Sequence, residues 1–152
     1  RRHTRSFHVT GVQTCALPIF PGAEPFLTEI RRRGKRITIL TNAHTAGVEV
    51  KTAKTGLDRY VDRIVDAFEV GFLKMRPEYW PTCQRLVGFD PGRALFVDDD
   101  EGCLHAAQRF GLARIVHSAK SSSRLPAEAS SRFTSVEQMT ALLHGHRFPA
   151  GD

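Results

Sequence analysis

A continuous apolar run at residues 94–97 (Ala-Leu-Phe-Val) is followed directly by three aspartates, Asp98, Asp99 and Asp100. Strands with one solvated face usually alternate apolar and polar residues, whereas strands covered on both faces are apolar throughout. The run therefore predicts a strand buried on both faces, as in a parallel sheet with helices on either side. The carboxylates that come after it predict a polar edge where the strand stops.

Apolar spacing along the rest of the chain alternates between helix and strand periods. Helices are predicted over residues 21–33, 46–55, 77–87, 101–110 and 134–143, and strands over residues 36–40, 94–97 and 113–117. Residues 60–67 are ambiguous, with 63–66 compatible with a short strand, and residues 118–131 are predicted to form a loop. This alternation predicts an α/β domain with a Rossmann-like, doubly wound parallel sheet.

Residues 1–19 are unlike the rest of the chain. Residues 1–5 and 9–19 match, codon by codon, the translation of a short-read sequencing adapter, and residues 6–8 fall where its variable index lies. A natural basic leader is the alternative, but the segment lacks the continuous apolar stretch of a secretory signal. We expect residues 1–19 to be an adapter-derived, non-native segment, residues 20–143 a partial core domain and residues 144–152 a tail.

The net charge of +6 gives little support to a nucleic-acid partner. It arises from 22 basic and 16 acidic residues, and residues 1–19 hold three arginines and no acidic residue, which leaves 19 against 16 in the remainder. The basic run at residues 31–36 is interrupted by Gly34, a pattern typical of a helix C-terminus, where cations are favoured. We therefore expect no nucleic-acid partner.

Membrane and disulfide signals are weak as well. No apolar run approaches the roughly 20 residues that a transmembrane helix needs, so no membrane association is expected. The three cysteines, Cys15, Cys83 and Cys103, have neither metal-ligand spacing nor the number typical of a disulfide framework. Reduced cysteines are usual in the cytoplasm, which is the expected location.

Three polar features are predicted at strand ends or in loops, where open α/β sheets bind their ligands. Thr41 and Asn42 follow a predicted strand, Lys74 lies just before a predicted helix, and Asp98 and Asp99 follow the apolar run. Each has an ordinary alternative. Thr and Asn are common helix caps, a lone lysine is usually solvated, and an acidic loop needs no metal.

In combination, the order of these features resembles motifs two, three and four of the haloacid dehalogenase (HAD) superfamily, over residues 20–143. In finer detail the chain is similar to the GMP/IMP nucleotidase branch. The similar segments are Leu-Thr-Asn-Ala-His at 40–44, Thr-Gly-Leu-Asp at 55–58, Gly-Phe at 71–72 before the lysine, and Leu-Phe-Val-Asp-Asp at 95–99. Met75 and Arg76 depart from the acidic pair that usually follows the lysine in that branch.

The resemblance implies a role for each matching residue. Thr41 and Asn42 would contact the phosphoryl group that is transferred, and Lys74 would neutralise its charge and steady the nucleophile. Asp99 would be the main Mg²⁺ ligand, and Asp98 a second ligand, directly or through water. Oxygen ligands of this kind suit Mg²⁺.

Two neighbouring residues receive no such role. Asp100 stands where the family often has Ser, so no direct contact is assigned to it. His44 would be a neighbour of the site, and a helix-capping or packing role is at least as good an interpretation.

The family's first motif, Asp-x-Asp on the first strand, has no counterpart in this chain, and neither has the cap domain usually inserted between motifs one and two. In the family the first Asp attacks phosphorus to form an aspartyl-phosphate, and the second is the general acid/base. The resemblance thus implies a Mg²⁺-dependent phosphatase acting on a small phosphorylated metabolite such as GMP or IMP. The present segment, without that motif, is expected to be inactive.

The family's first strand lies centrally, between the strands that end at Thr41 and Asp98. We expect the sheet to lack it, which would leave two facing rows of unpaired backbone groups. Residues 7–15 could occupy the slot, but Gly11 and the absence of a strict alternation predict a poor replacement.

Two other function classes remain open. One is a HAD relative of different reaction type, such as a dehalogenase or phosphomutase, and the other is a non-enzymatic binding domain on the same fold. Dehalogenation needs no metal, so the paired Asp98 and Asp99 argue against it. An upstream Asp-x-Asp would support an enzyme, and substitutions there would support a binding domain.

Overall fold

The computed structural model describes residues 6–10, 23–120 and 126–144 of the chain. Its centre is a six-stranded sheet in which every neighbouring pair of strands is parallel. The strands are β1 (Ser6–Thr10), β2 (Arg36–Thr41), β3 (Arg63–Asp66), β4 (Leu95–Asp98), β5 (Arg114–Ser118) and β6 (Ser135–Val136). Their spatial order is β3-β2-β1-β4-β5-β6. From β1 the chain adds β2 and β3 on one side, and it then returns to the centre to add β4, β5 and β6 on the other side. This order confirms the predicted doubly wound α/β class.

Strand β1 occupies the central slot between β2 and β4. Residues 6–10 pair with residues 36–40, and residues 7–9 pair with residues 95–97. The prediction that this central position lacks a strand is therefore wrong, because residues 6–10 occupy it. They belong to the segment 7–15 and its flank, which was expected to be a poor replacement. Ladder hydrogen bonds use backbone groups, so an extended segment can satisfy both facing edges whatever its side chains. The adapter origin of residues 1–19 stays a prediction, and residues 1–5 and 11–22 lie outside the described residues.

The helices lie in the connections between these strands. They are α1 (Ala23–Arg32), α2 (Thr45–Thr55), α3 (Ala67–Val70), α4 (Tyr79–Val87) and α5 (Glu101–Phe110), with short 3-10 helices at Leu57–Arg59, Pro91–Arg93 and Met139–Leu143. Gly88 and Gly111 follow α4 and α5 with φ angles of 70° and 101°. Glycine adopts this left-handed conformation without strain, so each residue ends its helix sharply.

Strand β4 is buried on both faces, as its apolar run predicts. Phe96 packs in one cluster with Trp80 of α4 and Leu104 of α5. Its neighbours Leu95 and Val97 belong to a separate cluster with β5 and β6. Successive strand side chains point to opposite faces, so the two clusters lie on the two sides of the sheet. Full burial of each such side chain stabilises the fold by about 1.5–3 kcal/mol.

Helix α1 covers the sheet beside β2 through a narrow apolar stripe. Phe26, Leu27 and Ile30 are buried against Ile37 and Ile39. All three lie within the helix predicted over residues 21–33. These contacts hold α1 against β2.

The predicted final helix over residues 134–143 is wrong. Its start forms the edge strand β6, and only its last five residues form a 3-10 helix. The His117 N–H donates to the Thr134 carbonyl (2.8 Å), and Val136 is buried against the sheet. The open edge of β5 accepts a β-branched segment, and this pairing outweighs the helical spacing of the apolar residues.

Smaller differences lie elsewhere. The ambiguous segment 60–67 contains strand β3, followed directly by the one-turn helix α3, which was not predicted. Residues 121–125 of the predicted loop and residues 145–152 of the predicted tail lie outside the described residues. Within the described part of the chain, no helix has both the length and the apolar character needed to cross a bilayer.

Candidate functional site

The ends of β2 and β4 lie at one edge of the sheet, on either side of β1. Val9 of β1 pairs with both Ile39 and Val97. Thr41 lies two residues beyond Ile39, and Asp98 lies one residue beyond Val97. Both therefore reach the carboxyl edge, where open parallel sheets bind ligands.

Lys74 and Asp98 form a buried ion pair at this edge. The Lys74 Nζ lies 2.6 Å from Asp98 Oδ2, and the two side chains are only 5% and 1% exposed. The interpretation of Lys74 as a solvated surface lysine is therefore wrong. Burying two charges is costly, and close contact with further hydrogen bonds must offset that cost. The fold thus fixes a positive charge beside the end of β4.

The backbone of Lys74 is held from two sides. Its N–H donates to Asn42 Oδ1 (2.9 Å), and its carbonyl accepts from the indole N–H of Trp80 (3.1 Å). Trp80 is completely buried in the core beneath the loop. The loop that carries the lysine is therefore tied both to the end of β2 and to α4.

Thr41 and Asn42 do not cap helix α2. The cap is His44, whose Nδ1 accepts from the Ala46 N–H at 3.5 Å, so the capping interpretation of His44 is confirmed. Thr41 Oγ1 accepts from the Ala43 N–H (3.1 Å) and closes the turn after β2. A hydroxyl that accepts one hydrogen bond still carries a proton to donate, which leaves Thr41 able to bind an anionic oxygen.

The three consecutive aspartates serve different purposes. Asp98 uses Oδ1 to accept the Asp100 N–H (3.0 Å), while its other oxygen contacts Lys74. Asp100 is exposed and caps α5, since its Oδ1 accepts the Cys103 N–H (3.1 Å). Asp100 is thus accounted for structurally, in keeping with the absence of a predicted contact role.

Asp99 lies half-buried next to this pair. Burial, followed by the negative charge of Asp98, raises the pKa of Asp99 to about 6, and Lys74 opposes this rise only in part. Ionising Asp99 therefore costs more free energy here than in water, and a cation beside it would offset that cost.

The donor chemistry of Asp98 and Asp99 fits a hard divalent cation such as Mg²⁺, which prefers carboxylate oxygens. The set is small, because no group of three His, Cys, Asp or Glu residues among the described residues could hold a metal. The first acidic residue of the chain is Glu24, so the segment containing β1 supplies no further carboxylate. The two aspartates alone are too few to hold Mg²⁺ and would need further ligands.

An apolar rim, which the sequence patterns did not predict, lies beside this edge. Phe68, Phe72 and Leu73 are 75%, 40% and 46% exposed, and they follow β3 and precede Lys74. Their sequence signal is a set of large apolar residues in a stretch with no predicted core helix. The rim lines a groove that also includes Asn42 and His44.

The parallel sheet carries a polar turn after β2, a buried lysine ahead of α4 and adjacent aspartates at the end of β4, all on one edge. The family model for haloacid dehalogenase-like hydrolases matches residues 2–111. The chain belongs to this family.

Two curated relatives have similar sequences. The chain is 36% identical to the GMP/IMP nucleotidase YrfG of Escherichia coli (strain K12) over 88 residues, which is 58% of this chain and 40% of that protein. It is 32% identical over 83 residues to a phosphoserine phosphatase of Thermus thermophilus, covering 55% of this chain and 33% of the relative. The chain therefore spans well under half the length of these relatives.

Among solved structures, a HAD phosphatase from Thermococcus onnurineus superimposes with a TM-score of 0.68 at 22% identity. The match covers 83% of this chain and 57% of that structure. At this identity the likeness shows a shared fold.

Proposed function

We propose that this chain is a segment of a Mg²⁺-dependent phosphohydrolase that cleaves phosphate monoesters. The observation that carries the proposal is the buried Lys74–Asp98 ion pair, held next to Asp99 at the carboxyl edge of the sheet. A buried lysine supplies a fixed positive charge for an anionic group. Membership of the hydrolase family, together with the nucleotidase name of one relative and the phosphatase name of another, supports this class.

Each site residue has a role that its contacts allow. Thr41 can donate its hydroxyl proton to a phosphoryl oxygen, and Asn42 orders the loop that carries Lys74. Lys74 neutralises charge that builds up during transfer, an effect that is stronger in a water-poor site. Asp98 and Asp99 would hold Mg²⁺, which when bound neutralises and orients the phosphoryl oxygens.

The nucleophile is the part that this chain does not supply. In the family an Asp-x-Asp motif on the first strand provides both the attacking carboxylate and the acid/base. The corresponding strand position is held by β1, and residues 1–23 contain no Asp or Glu. We propose that a protein carrying residues 23–144 behind a family first strand is active, and that residues 1–152 alone are not.

The proposed substrates are purine 5′-monophosphates, GMP or IMP. The 36% identity to a GMP/IMP nucleotidase supports this choice. The similarity to a phosphoserine phosphatase supports only the broader class of small phosphorylated metabolites. A cytoplasmic location and the absence of a nucleic-acid partner stay predictions.

The experiment joins residues 23–152 to a family first strand with Asp-x-Asp and measures phosphate release from GMP, IMP, ribose 5-phosphate and phosphoserine. Activity with Mg²⁺, lost in EDTA, is expected, and Asp99→Asn should weaken Mg²⁺ dependence and cut turnover strongly. Asp100→Asn is the matched control, since Asn also caps helices. Full activity in EDTA would contradict the metal role, and a preference for ribose 5-phosphate would contradict only the substrate.

A second candidate is a non-catalytic phosphate-binding domain. The absence of any carboxylate before Glu24 favours it for the chain as it stands. For the restored protein the two candidates differ. Phosphate release would mean that only the Asp-x-Asp motif separates this chain from an enzyme, and no release would mean that the remaining site residues are non-catalytic.

A further inference from the structure

A groove of about 550 Å³ opens beside the candidate site. Its lining includes Asn42 and His44 from the turn after β2, and Phe68, Phe72 and Leu73 from the stretch between β3 and Lys74. Pockets for small organic ligands usually measure roughly 300–1,000 Å³ and combine apolar walls with a few polar groups. The groove has the size and composition of such a pocket.

The rings at this groove are unusually accessible for a folded domain. Phe68 is 75% exposed, and its ring centroid lies 5.4 Å from that of His44 at an interplanar angle of 56°. Large apolar side chains exposed next to one another and rimmed by polar residues mark binding surfaces. The two rings present flat, polarisable faces on which another ring can stack.

The polar end of the groove is shared with the candidate phosphoryl site. Asn42 lines the groove, and its Oδ1 accepts the N–H of Lys74. A ligand whose phosphate lies near Lys74 would therefore extend past Asn42 toward the aromatic rim. This continuity argues for one ligand with an anionic end and an apolar, ring-bearing end.

The charge of the residues that line the groove limits which chemical group the ring-bearing end of the ligand can be. Apart from His44, the described residues that line the groove carry no ionisable side chain. A leaving group with its own carboxylate or ammonium group would lose hydration here without gaining a partner among them, which is costly. A neutral heteroaromatic ring loses little and gains stacking contacts.

From these observations we propose that the groove binds the neutral base of a nucleoside monophosphate, stacked on Phe68 with Phe72 and His44 beside it. The inference rests on the proposed function, because it assumes that the phosphate lies at Lys74. It assigns selection for the base to residues of the core domain.

The test measures binding of GMP, ribose 5-phosphate and guanosine to the full 152-residue chain by titration calorimetry. GMP should bind at least fivefold more tightly than ribose 5-phosphate, and Phe68→Ala should remove that advantage, a loss of roughly five- to tenfold. Phe68→Tyr should retain it because the ring remains. Leu86→Ala is the matched control, since Leu86 is an exposed apolar residue outside the groove lining.

The outcomes separate this inference from the proposed function. Equal affinities for GMP and ribose 5-phosphate, or an equal loss of both in Phe68→Ala, would overturn the base site. Failure of every phosphate ester to bind this chain would remove the premise that a phosphate lies at Lys74, whereas the proposed function is tested separately by phosphate release from the protein with Asp-x-Asp restored. In that case, guanosine binding that is weakened by Phe68→Ala would still support the base-binding role of the groove. No binding of guanosine would overturn that role. A groove that binds only a hydrophobic dye would be a protein-contact surface, which also overturns the inference.

Discussion

Strands β1 and β4 lie side by side at the centre of the sheet, and their residues pair in register from Phe7–Leu95 to Val9–Val97. They differ in the side chains found at and beyond their carboxyl ends. Asp98 and Asp99 end β4 with an ion pair and a half-buried carboxylate, whereas the first acidic residue after β1 is Glu24, within α1. The comparison shows that backbone hydrogen bonds are enough to place a strand at the centre of the sheet. The chemistry that the strand can support depends instead on the side chains at its carboxyl end.

The largest expected effect concerns catalysis. Purified residues 1–152 with Mg²⁺ and a generic phosphate ester should give phosphate release at background level, because β1 brings no carboxylate to act as the nucleophile. Release well above background that is abolished by Lys74→Ala would break the comparison, because the end of β4 would then suffice without a carboxylate from β1.

Next in size is the loss of the buried ion pair at the end of β4. Lys74→Met should lower the free energy of unfolding by about 3–5 kcal/mol, because it leaves Asp98 buried without its partner. Adding Asp98→Asn should restore part of that loss, since the uncompensated charge is removed. Urea denaturation measures all three proteins. Lys54→Met, at an exposed lysine of α2, is the control and should change little.

A smaller loss is expected from a backbone change in β1. Val9→Pro removes an N–H from a strand that pairs on both sides, which should cost at least about 2 kcal/mol. Val9→Thr keeps the N–H and the β-branched shape, so its unfolding midpoint should stay close to that of the original chain. An unchanged midpoint for Val9→Pro would mean that Ser6–Thr10 does not hold the central slot in solution.

The smallest effect concerns Asp66, a carboxylate at the end of β3 with a structural role. It accepts the Glu69 N–H (2.8 Å) and the Thr45 hydroxyl (2.7 Å), and these hydrogen bonds, the first above all, lower its pKa. A carboxyl whose pKa is lower in the folded than in the unfolded state stabilises the fold. This stabilisation is fully present above the unfolded-state pKa of about 4, and it is lost as the pH falls through the pKa of the folded state.

Asp66→Asn should therefore destabilise the chain by about 1 kcal/mol at pH 7, and the difference should shrink as the pH is lowered below about 4. Urea denaturation at several pH values measures it, with the exposed Asp58→Asn as the control. A difference in stability that grows on acidification would contradict the hydrogen bonds assigned to Asp66. It would also remove the reason for giving Asp66 a purely structural role, unlike the aspartates at the end of β4.

The sequence predicted most of the fold because its local signals agree with its tertiary environment. Residues 94–97 are apolar throughout since helices cover both faces of β4, and glycine ends α4 and α5 where the chain must turn. Residues 134–143 were misassigned because their apolar spacing suits a helix in isolation. Only the open edge of β5, which no local pattern reveals, makes Ser135–Val136 a strand.

The sequence predicted which residues of the candidate site lie at the edge of the sheet, but it did not predict the contacts that these residues make. Thr41, Lys74 and Asp98 were singled out because they follow strands or precede a helix. The burial of Lys74 and the hydrogen bonds from Trp80 and to Asn42 depend on residues distant in sequence, so no single segment encodes them. The exposed rim at Phe68 was missed for the same reason, since an apolar residue in a short connection is usually packed away.

The pairing of β1 also has a consequence for synthesis on the ribosome. Phe7 pairs with Leu95, so β1 can complete its pairing with β4 only after residue 95 has been translated. Pairing of segments far apart in sequence is slow to form. Until then one edge of β1 stays open to other nascent chains, which exposes the growing protein to association. Slower elongation before residue 95 would prolong this interval, whereas a chaperone that covers the N-terminal segment would shield it.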